Sequence, residues 1–501
     1  MSQKMTSYLA LEKKLSTITH LKHIASLAHW DAEINLPKGS TANRHQELAT
    51  LAEVIHQMSI SKELGSLIES ATQEMSRLNE WQKSNLAIIK RTYEHAQCIS
   101  PDLQHSYSMA ISECEYIWRD ARKNDNFNQL VPYLDRVFDL TRTIADCKAN
   151  YFHKDPYDML MDTYEPDSSA KEIQAVFDIL KRELPKLIEK VTAKQQNEKV
   201  ILLSDKIDIN TQKAIGMRIM EKMGFDMDKG RLDVSAHPFC SGSNDDVRLT
   251  TRYDEDNFIT GLFGIIHETG HGLYQQNLPE NYRNQPVGHD KGMAFHESQS
   301  LIMECQAGTS LEFIQYLAKL LRDDFGLQSP AYSAENLYKL VTRVQPSFIR
   351  VDADEVTYPL HVILRFEIEQ AIIKGEIQAA DLPHIWNTKM KEYLGIVPAN
   401  NREGCMQDVH WPAGLLGYFP CYTNGAIIAS MLMKAAQEKY PAIKSQLSEG
   451  NFQDLNTYLN QHLRNLGSVK DSVELLKLAT GFEKISPNIF IDYLTNKYLL
   501  I

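Results

Sequence analysis

Apolar residues recur at helical spacing through most of the sequence, and this periodicity constrains the fold more than any other feature. One run extends from Leu11 to Leu21, a longer one from Ile173 to Val191, and another from Leu311 to Leu321. Residues three and four positions apart share one face of an α-helix, so each run predicts an amphipathic helix. Further runs in the last third end near prolines such as Pro346 and Pro359. The sequence therefore predicts a mostly α fold.

One short region breaks this helical pattern. The segments RLDVSAHPF (231–239) and DVRLTTRY (246–253) alternate apolar and polar positions around the turn-forming residues SGSNDD. This pattern predicts two short strands joined by a turn, a small β-hairpin beside the helix that follows. An extended peptide could add to its edge as a further strand, and a hairpin without a binding role fits the pattern equally well.

The composition is typical of a large folded body. Hydrophobic residues make up 43% of the 501 positions, enough to bury an extensive core. No linker rich in Pro, Gly and Ser and no block of charge divides the chain. We therefore expect residues 1–501 to form a single compact domain with lobes.

Charge and cysteine usage exclude several classes of protein. The 65 acidic residues exceed the 53 basic ones, and no Lys/Arg cluster is interleaved with aromatic residues, so we expect no nucleic-acid partner. The sequence has no signal-peptide pattern at its start and no apolar run long enough to cross a membrane. Its seven cysteines are scattered and form no CxxC pair. These features predict a cytoplasmic protein without a membrane partner.

The segment NFITGLFGIIHETGHGLYQQN carries the strongest chemical signal. Apolar residues between 259 and 266 mark the buried face of one helix, and His267 and His271 follow four positions apart. Histidines at this spacing stack on adjacent turns and can share one tetrahedral zinc ion. Glu268 is offset by one residue, where it can serve as the general base on a water molecule at the metal. Gly270 and Gly272 each weaken the helix, which indicates that another backbone or a substrate packs close by.

A catalytic zinc needs a third protein ligand. The segment HESQS offers Glu297 as this ligand, and the adjacent His296 is an alternative. The metzincin signature HExxHxxGxxH is excluded because Tyr274 stands at its glycine position and Asn277 at its third-histidine position. Glu304 is a weak candidate for orienting the histidines. There are two alternatives: in one the histidines are core residues satisfied by hydrogen bonds, and in the other they bind a structural zinc. A structural zinc is disfavoured because closed structural sites normally use four protein ligands and need no general base.

The HETGH segment is one of several motifs that follow one another along the chain. These are HWDAEINLP (29–37), HPF (237–239), DxRxT (246–250), HExxH (267–271), HESQS (296–300), IRxxAD (349–354) and GxxQDxHW (404–411). In this order they resemble the M32 metallocarboxypeptidases typified by carboxypeptidase Taq, over nearly the whole chain. The chain differs from that pattern in LIMECQ after HESQS and in Cys421 within the GYFPxY stretch.

The resemblance implies a neurolysin-like helical saddle with two lobes around one long central cleft, usually a homodimer. It implies the removal of single residues from the free C-terminus of peptides, with Zn²⁺ or Co²⁺ as cofactor. The metal ligands would be His267, His271 and Glu297, and Glu268 would be catalytic.

Several further residues are candidates for roles at the site. Related zincins place a His and a Tyr downstream of the metal helix, where they stabilise the oxyanion of the transition state. His410 and Tyr418 are the first candidates for this role, and Tyr422 is a further one. Packing alone would also explain the two tyrosines. Arg350 is expected to bind the substrate's terminal carboxylate through two parallel hydrogen bonds. An ion pair between Arg350 and Asp352 or Asp354 is the alternative.

The remaining candidates concern substrate binding and product type. Arg248 is expected to clamp the hairpin to Gln407 and so close one end of the cleft, and His237 of the HPF motif is a further candidate substrate contact. A zinc oligopeptidase or dipeptidyl carboxypeptidase would use the same ligands and base, so only the products separate these activities from a carboxypeptidase.

Overall fold

The computed structural model describes residues 6–500, except for the side chain of Lys38. Within these residues the chain is mostly helical, as predicted. The helices are α1 (Thr6–Ile34), α2 (Thr41–Ser59), α3 (Lys62–Gln73), α4 (Glu80–Gln97), α5 (Pro101–Lys123), α6 (Phe127–Phe152), α7 (Pro156–Met161), α8 (Ala170–Gln195), α9 (Ile209–Met223), α10 (Phe258–Gln276), α11 (Met293–Leu301), α12 (Leu311–Asp323), α13 (Ala334–Val341), α14 (Tyr358–Ile373), α15 (Leu382–Leu394), α16 (Pro420–Lys439), α17 (Ile443–Leu447), α18 (Gln453–His462), α19 (Ser472–Thr480) and α20 (Pro487–Thr495). Two π-helical segments, Ile302–Gly308 and Asn496–Leu500, follow α11 and α20 directly.

The periodic apolar runs lie within single helices. The first run is in α1, the second in α8 and the third in α12. In α8 the residues spaced three and four apart, among them Phe177, Leu180 and Leu184, are fully buried. Burial of such a stripe provides most of the driving force for a helix of this kind. None of the described helices combines the length and the hydropathy needed to cross a membrane.

The predicted hairpin is a three-stranded sheet. Strand β1 (Gly230–Val234) pairs parallel with β3 (Asp246–Thr251), and β2 (Cys240–Ser243) pairs antiparallel with β3 on its other side. The small sheet predicted beside the metal helix is confirmed, whereas the prediction of only two strands was wrong, because half of the expected turn, residues 241–243, belongs to β2. Gly242 makes this possible: its φ is +114°, and a Cβ there would lie 1.8 Å from the carbonyl oxygen of Asp246.

Two hydrophobic clusters hold the described residues together. A small cluster joins α1, α3 and α4 around Tyr8, Leu64 and Ile89. The main cluster extends from α5 to the end of the described chain and includes most of α10 and α11. Helix α10 packs against β3, α9 and α11, while α11 packs along α16. The two helices that carry the HETGH and HESQS motifs therefore lie deep in the main core.

Candidate metal centre

Helices α10 and α11 bring three candidate ligands together. One donor atom each from His267, His271 and Glu297 lies within 4.8 Å of the other two. The distance from His271 Nε2 to Glu297 Oε2 is 3.5 Å. These separations suit one small ion whose bonds to nitrogen and oxygen are about 2.0–2.2 Å long.

Glycines allow the close approach that places Glu297. A Cβ on Gly270 of α10 would lie 2.3 Å from the backbone oxygen of Gln299 in α11. A Cβ on Gly425 of α16 would lie 2.8 Å from the Cβ of Glu297. The expectation that another segment packs against the glycines of the metal helix is thus confirmed for Gly270, and the neighbour is the backbone of the HESQS helix.

Both candidate histidines are oriented through Nδ1. His267 Nδ1 lies 2.7 Å from Glu304 Oε2, and His271 Nδ1 lies 3.1 Å from the carbonyl oxygen of His296. Both oxygens are acceptors, so each Nδ1 is assigned as the donor and each Nε2 is the ring nitrogen left to face a metal, whose binding to His267 must displace the Nε2 proton. Glu304 and this carbonyl are the kind of outer-shell partners that metal-binding histidines require, so the residues present fit a divalent metal.

His296 itself lies outside the ligand cluster. Its ring stacks on that of His271 with centroids 4.3 Å apart, and its Nε2 lies 3.2 Å from the side-chain nitrogen of Gln275. The residue thus supports His271 by stacking and through its carbonyl group, and Glu297 is the acidic member of the cluster.

The charges at the centre favour a cation. Glu268 is only 7% exposed, and burial together with repulsion from Glu297 and Glu304 raises its pKa to about 7 against the opposing charge of His267. Burial disfavours the charged form of His267, yet Glu304, Glu297 and Glu268 outweigh it and raise its pKa to about 10. Three carboxylates in a low-dielectric site create the negative potential that a metal ion neutralises.

A second group of polar side chains lies near Glu297 on the 410–422 segment. His410 Nε2 is 3.1 Å from the hydroxyl of Tyr422, and the ring of Tyr418 lies 5.3 Å from that of Tyr422. Burial, with a smaller contribution from the charge of Glu297, raises the pKa of both tyrosines. Burial lowers the pKa of His410 to about 4. At neutral pH all three side chains are therefore uncharged.

Arg350 is buried in an ion cluster that sequence reasoning missed. It is 5% exposed, and its Nε and Nη2 lie 3.2 and 2.9 Å from Oδ1 of Asp408. Asp408 also pairs with the fully buried Arg365, at 2.6 Å. The ion pair expected as an alternative, with Asp352 or Asp354, is wrong, because Asp354 accepts backbone N–H groups at the start of α14 instead. Asp408 lies in the GxxQDxHW motif, and its place in that motif was the sequence signal that could have identified it as a partner of Arg350.

The remaining Nη of Arg350 points to an aromatic partner. Nη1 lies 2.5 Å from the hydroxyl of Tyr358, and the guanidinium carbon is 4.9 Å from the centroid of the Tyr422 ring. Tyr358 precedes a proline at the start of α14 and was not a candidate from the sequence. It joins Arg350 to the side of the site that contains His410, Tyr418 and Tyr422.

The expected clamp between Arg248 and Gln407 is wrong. Arg248 forms a two-bond ion pair with Asp246 of its own strand and lies 4.3 Å above the ring of Trp30. Gln407 accepts the backbone N–H of Arg350 at 2.8 Å and so belongs to the Arg350 cluster. His237 is exposed in the loop between β1 and β2. Among the described residues, neither Arg248 nor His237 contacts a candidate metal ligand.

Comparison with known proteins identifies the family. The carboxypeptidase Taq (M32) metallopeptidase family matches residues 10–498 of the chain. The chain belongs to this family. It is 34% identical to carboxypeptidase 1 of Bacillus subtilis over 485 residues, covering 97% of this chain and 96% of that protein. It is also 34% identical to thermostable carboxypeptidase 1 of Thermus thermophilus over 491 residues, covering 96% of each.

Solved structures agree with this assignment. Metallocarboxypeptidase 1 of Trypanosoma cruzi superposes with a TM-score of 0.97 at 34% identity, covering 99% of this chain and all of that one. An M32 carboxypeptidase from Deinococcus radiodurans superposes with a TM-score of 0.94 at 29% identity, covering 98% of this chain and 99% of that one. The M32 chain described here is therefore a metallopeptidase, a carboxypeptidase that hydrolyses peptides with a divalent metal.

Proposed function

We propose that this metallocarboxypeptidase removes single amino acids from the free C-terminus of peptides, with His267, His271 and Glu297 as metal ligands and Glu268 as general base. The observation that carries the proposal is the orientation of the two histidines, whose Nδ1 atoms are engaged at 2.7 and 3.1 Å so that both Nε2 atoms remain for a metal beside Glu297. Three ligands leave the open position that a catalytic centre needs.

The chemistry divides between the metal and the side chains around it. A bound divalent metal supplies Lewis acidity, which makes a water more acidic and polarises the scissile carbonyl. Glu268 takes the proton from the attacking water and passes it to the leaving amine. The buried hydroxyls of Tyr418 and Tyr422 stay protonated, and either can donate to the developing oxyanion. Neutral His410 holds the hydroxyl of Tyr422 at 3.1 Å.

Arg350 is the proposed site for the substrate's terminal carboxylate. The guanidinium groups of Arg350 and Arg365 share the single carboxylate of Asp408, so the buried cluster has one positive charge in excess. An excess cation in a poorly solvated place attracts an anion, and the terminal carboxylate is the anion that distinguishes a carboxypeptidase substrate. The hydroxyl of Tyr358 accepts a hydrogen bond from Nη1 of Arg350, so Tyr358 would lie beside the bound carboxylate.

The proposal extends to the metal, the assembly and the location of the protein. Zn²⁺ is the proposed metal and Co²⁺ an accepted substitute, because a His₂Glu set accepts both. We propose a single catalytic domain, residues 1–501, with two lobes around one cleft, and a homodimer, which sedimentation of the purified protein tests. The seven unpaired cysteines favour a cytoplasmic location.

The decisive experiment compares one peptide with a free and an amidated C-terminus. We expect metal-loaded protein to release single amino acids from the free peptide and to leave the amidated one intact. Dipeptides or internal fragments would instead indicate a dipeptidyl carboxypeptidase or an oligopeptidase. Glu268→Gln should bind metal but lose hydrolysis, whereas the exposed control Glu483→Gln should keep both. Equal hydrolysis by Glu268→Gln would refute the general-base role.

A further inference from the structure

The π-helical segment Ile302–Gly308 supplies the residue that orients His267. It continues directly from α11, and Glu304 in its first turn contacts His267 Nδ1. The turn is wide: the N–H of Thr309 reaches back five residues to the carbonyl oxygen of Glu304 at 2.9 Å. Such turns are rare and have weaker internal bonding than an α-helix, so contacts from outside decide whether they persist.

These outside contacts come from the end of the described chain. The carbonyl oxygen of Cys305, next to Glu304, accepts hydrogen bonds from Tyr493 at 2.9 Å and from Lys497 Nζ at 3.0 Å. Lys497 Nζ also donates to the hydroxyl of Thr309 at 2.6 Å. One ammonium group therefore contacts the residue that follows Glu304 and the residue whose N–H closes the wide turn.

Lys497 is buried and paired. It is 7% exposed, and Nζ lies 2.6 Å from Glu355 Oε2, which also accepts the hydroxyls of Tyr493 at 3.1 Å and Tyr498 at 3.0 Å. A buried ion pair contributes little net stability compared with apolar residues of the same shape, because both charges lose their hydration. Its directional hydrogen bonds do fix the geometry of the backbone they contact.

We propose that Lys497 is a positioning residue for the metal centre. Together with Glu355 it fixes the Ile302–Gly308 turn, which keeps Glu304 at Nδ1 of His267 and so aims Nε2 at the metal. The inference rests on the metal centre of the proposed function. The competing role is purely structural, in which Lys497 only anchors residues 496–500 to the core.

The test measures metal affinity in a paired variant. Lys497→Met alone leaves the carboxylate of Glu355 buried without a cation and is expected to impair folding, so Lys497→Met/Glu355→Gln removes both charges together. Loss of an outer-shell contact weakens metal binding by about 10- to 100-fold, so a residue one contact further out should weaken it by about three- to tenfold. The dissociation constant for Zn²⁺ is measured by competition with a chromophoric chelator, and the visible spectrum of the Co²⁺ form reports the ligand geometry.

A second background separates positioning from general stability. In Glu304→Ala the acceptor for His267 Nδ1 is absent, so adding the paired substitution should change the Zn²⁺ dissociation constant less than about twofold. The matched control is Lys484→Met/Glu172→Gln, which removes an exposed ion pair and should leave metal affinity and the Co²⁺ spectrum unchanged.

The outcomes separate the two proposals. Weaker binding in the parent background together with no further loss in Glu304→Ala supports positioning by Lys497. Equal losses in both backgrounds, or a lowered unfolding temperature with unchanged metal affinity, would overturn it and assign Lys497 a structural role. If the unsubstituted protein binds no divalent metal, the proposed function falls together with this inference. If it binds metal and the paired variant binds it equally well, only this inference falls.

Discussion

The close approach of α10 and α11 at Gly270 offers a quantitative test of the metal centre. In Gly270→Ala the new methyl group would lie 2.3 Å from the backbone oxygen of Gln299 and 2.7 Å from Cα of Ser300. These are backbone atoms that no side-chain rotation can move away. To reach ordinary contact distance, α11 must recede by about 1 Å. Metal–ligand bonds tolerate errors of only about 0.2 Å, so the shift carries Glu297 out of bonding range.

The same helix provides the control. A Cβ on Gly264 would meet only atoms 3.9 Å away, which is normal contact. Gly264→Ala should therefore gain up to about 1 kcal/mol from the better helix propensity of alanine. Gly270→Ala should lose about 1–3 kcal/mol of unfolding free energy through overpacking.

Two measurements check this prediction. Denaturant unfolding of the metal-free proteins gives the stability changes, and chelator competition gives the Zn²⁺ dissociation constants. We expect Gly270→Ala to bind Zn²⁺ at least about tenfold more weakly and Gly264→Ala to bind as the parent does. Parent-like binding by Gly270→Ala would show that the approach of α11 does not govern the position of Glu297, and the reasoning would fail.

Three further predictions concern the Arg350 cluster and the metal. Arg350→Lys loses paired hydrogen bonding to a carboxylate and should lower kcat/KM by about tenfold or more, measured by steady-state kinetics on a peptide with a free C-terminus. Asp408→Asn leaves two buried guanidinium groups without an anion and should cost about 3–5 kcal/mol in denaturant unfolding. Although burial opposes the charge of Asp408, Arg365 and Arg350 hold the pKa of this carboxyl group well below its usual range. The contribution of Asp408 to stability is therefore complete above the unfolded-state pKa of about 3.9 and declines as the pH falls below that value. Asp408→Asn should flatten this acid dependence of the unfolding free energy. Removal of the metal should abolish hydrolysis and lower the unfolding temperature, because a ligand at 100 times its dissociation constant stabilises by about 2.7 kcal/mol.

The spacing of residues along the sequence was enough to predict the fold class and the core of the candidate metal site. The mostly helical fold and the sharing of one helix by His267 and His271 follow from intervals of three and four residues, which have the same meaning in every α-helix. Glu297 could be chosen from the sequence because a catalytic zinc needs a third ligand and the metzincin positions hold Tyr274 and Asn277. Conclusions of this kind need no knowledge of how distant segments pack.

Tertiary structure decided which side chains support the site. Glu304 was only a weak candidate until a π-helical turn aimed it at His267, and Asp408 gained its role from contact with an arginine 58 positions earlier. Arg248 pairs with Asp246 and Trp30 instead of reaching Gln407. The Gly/Ser-rich turn became a strand because β3 offered it a free edge. Such partners lie far apart in sequence or depend on a local deviation from regular helix, and no interval along the chain encodes either condition.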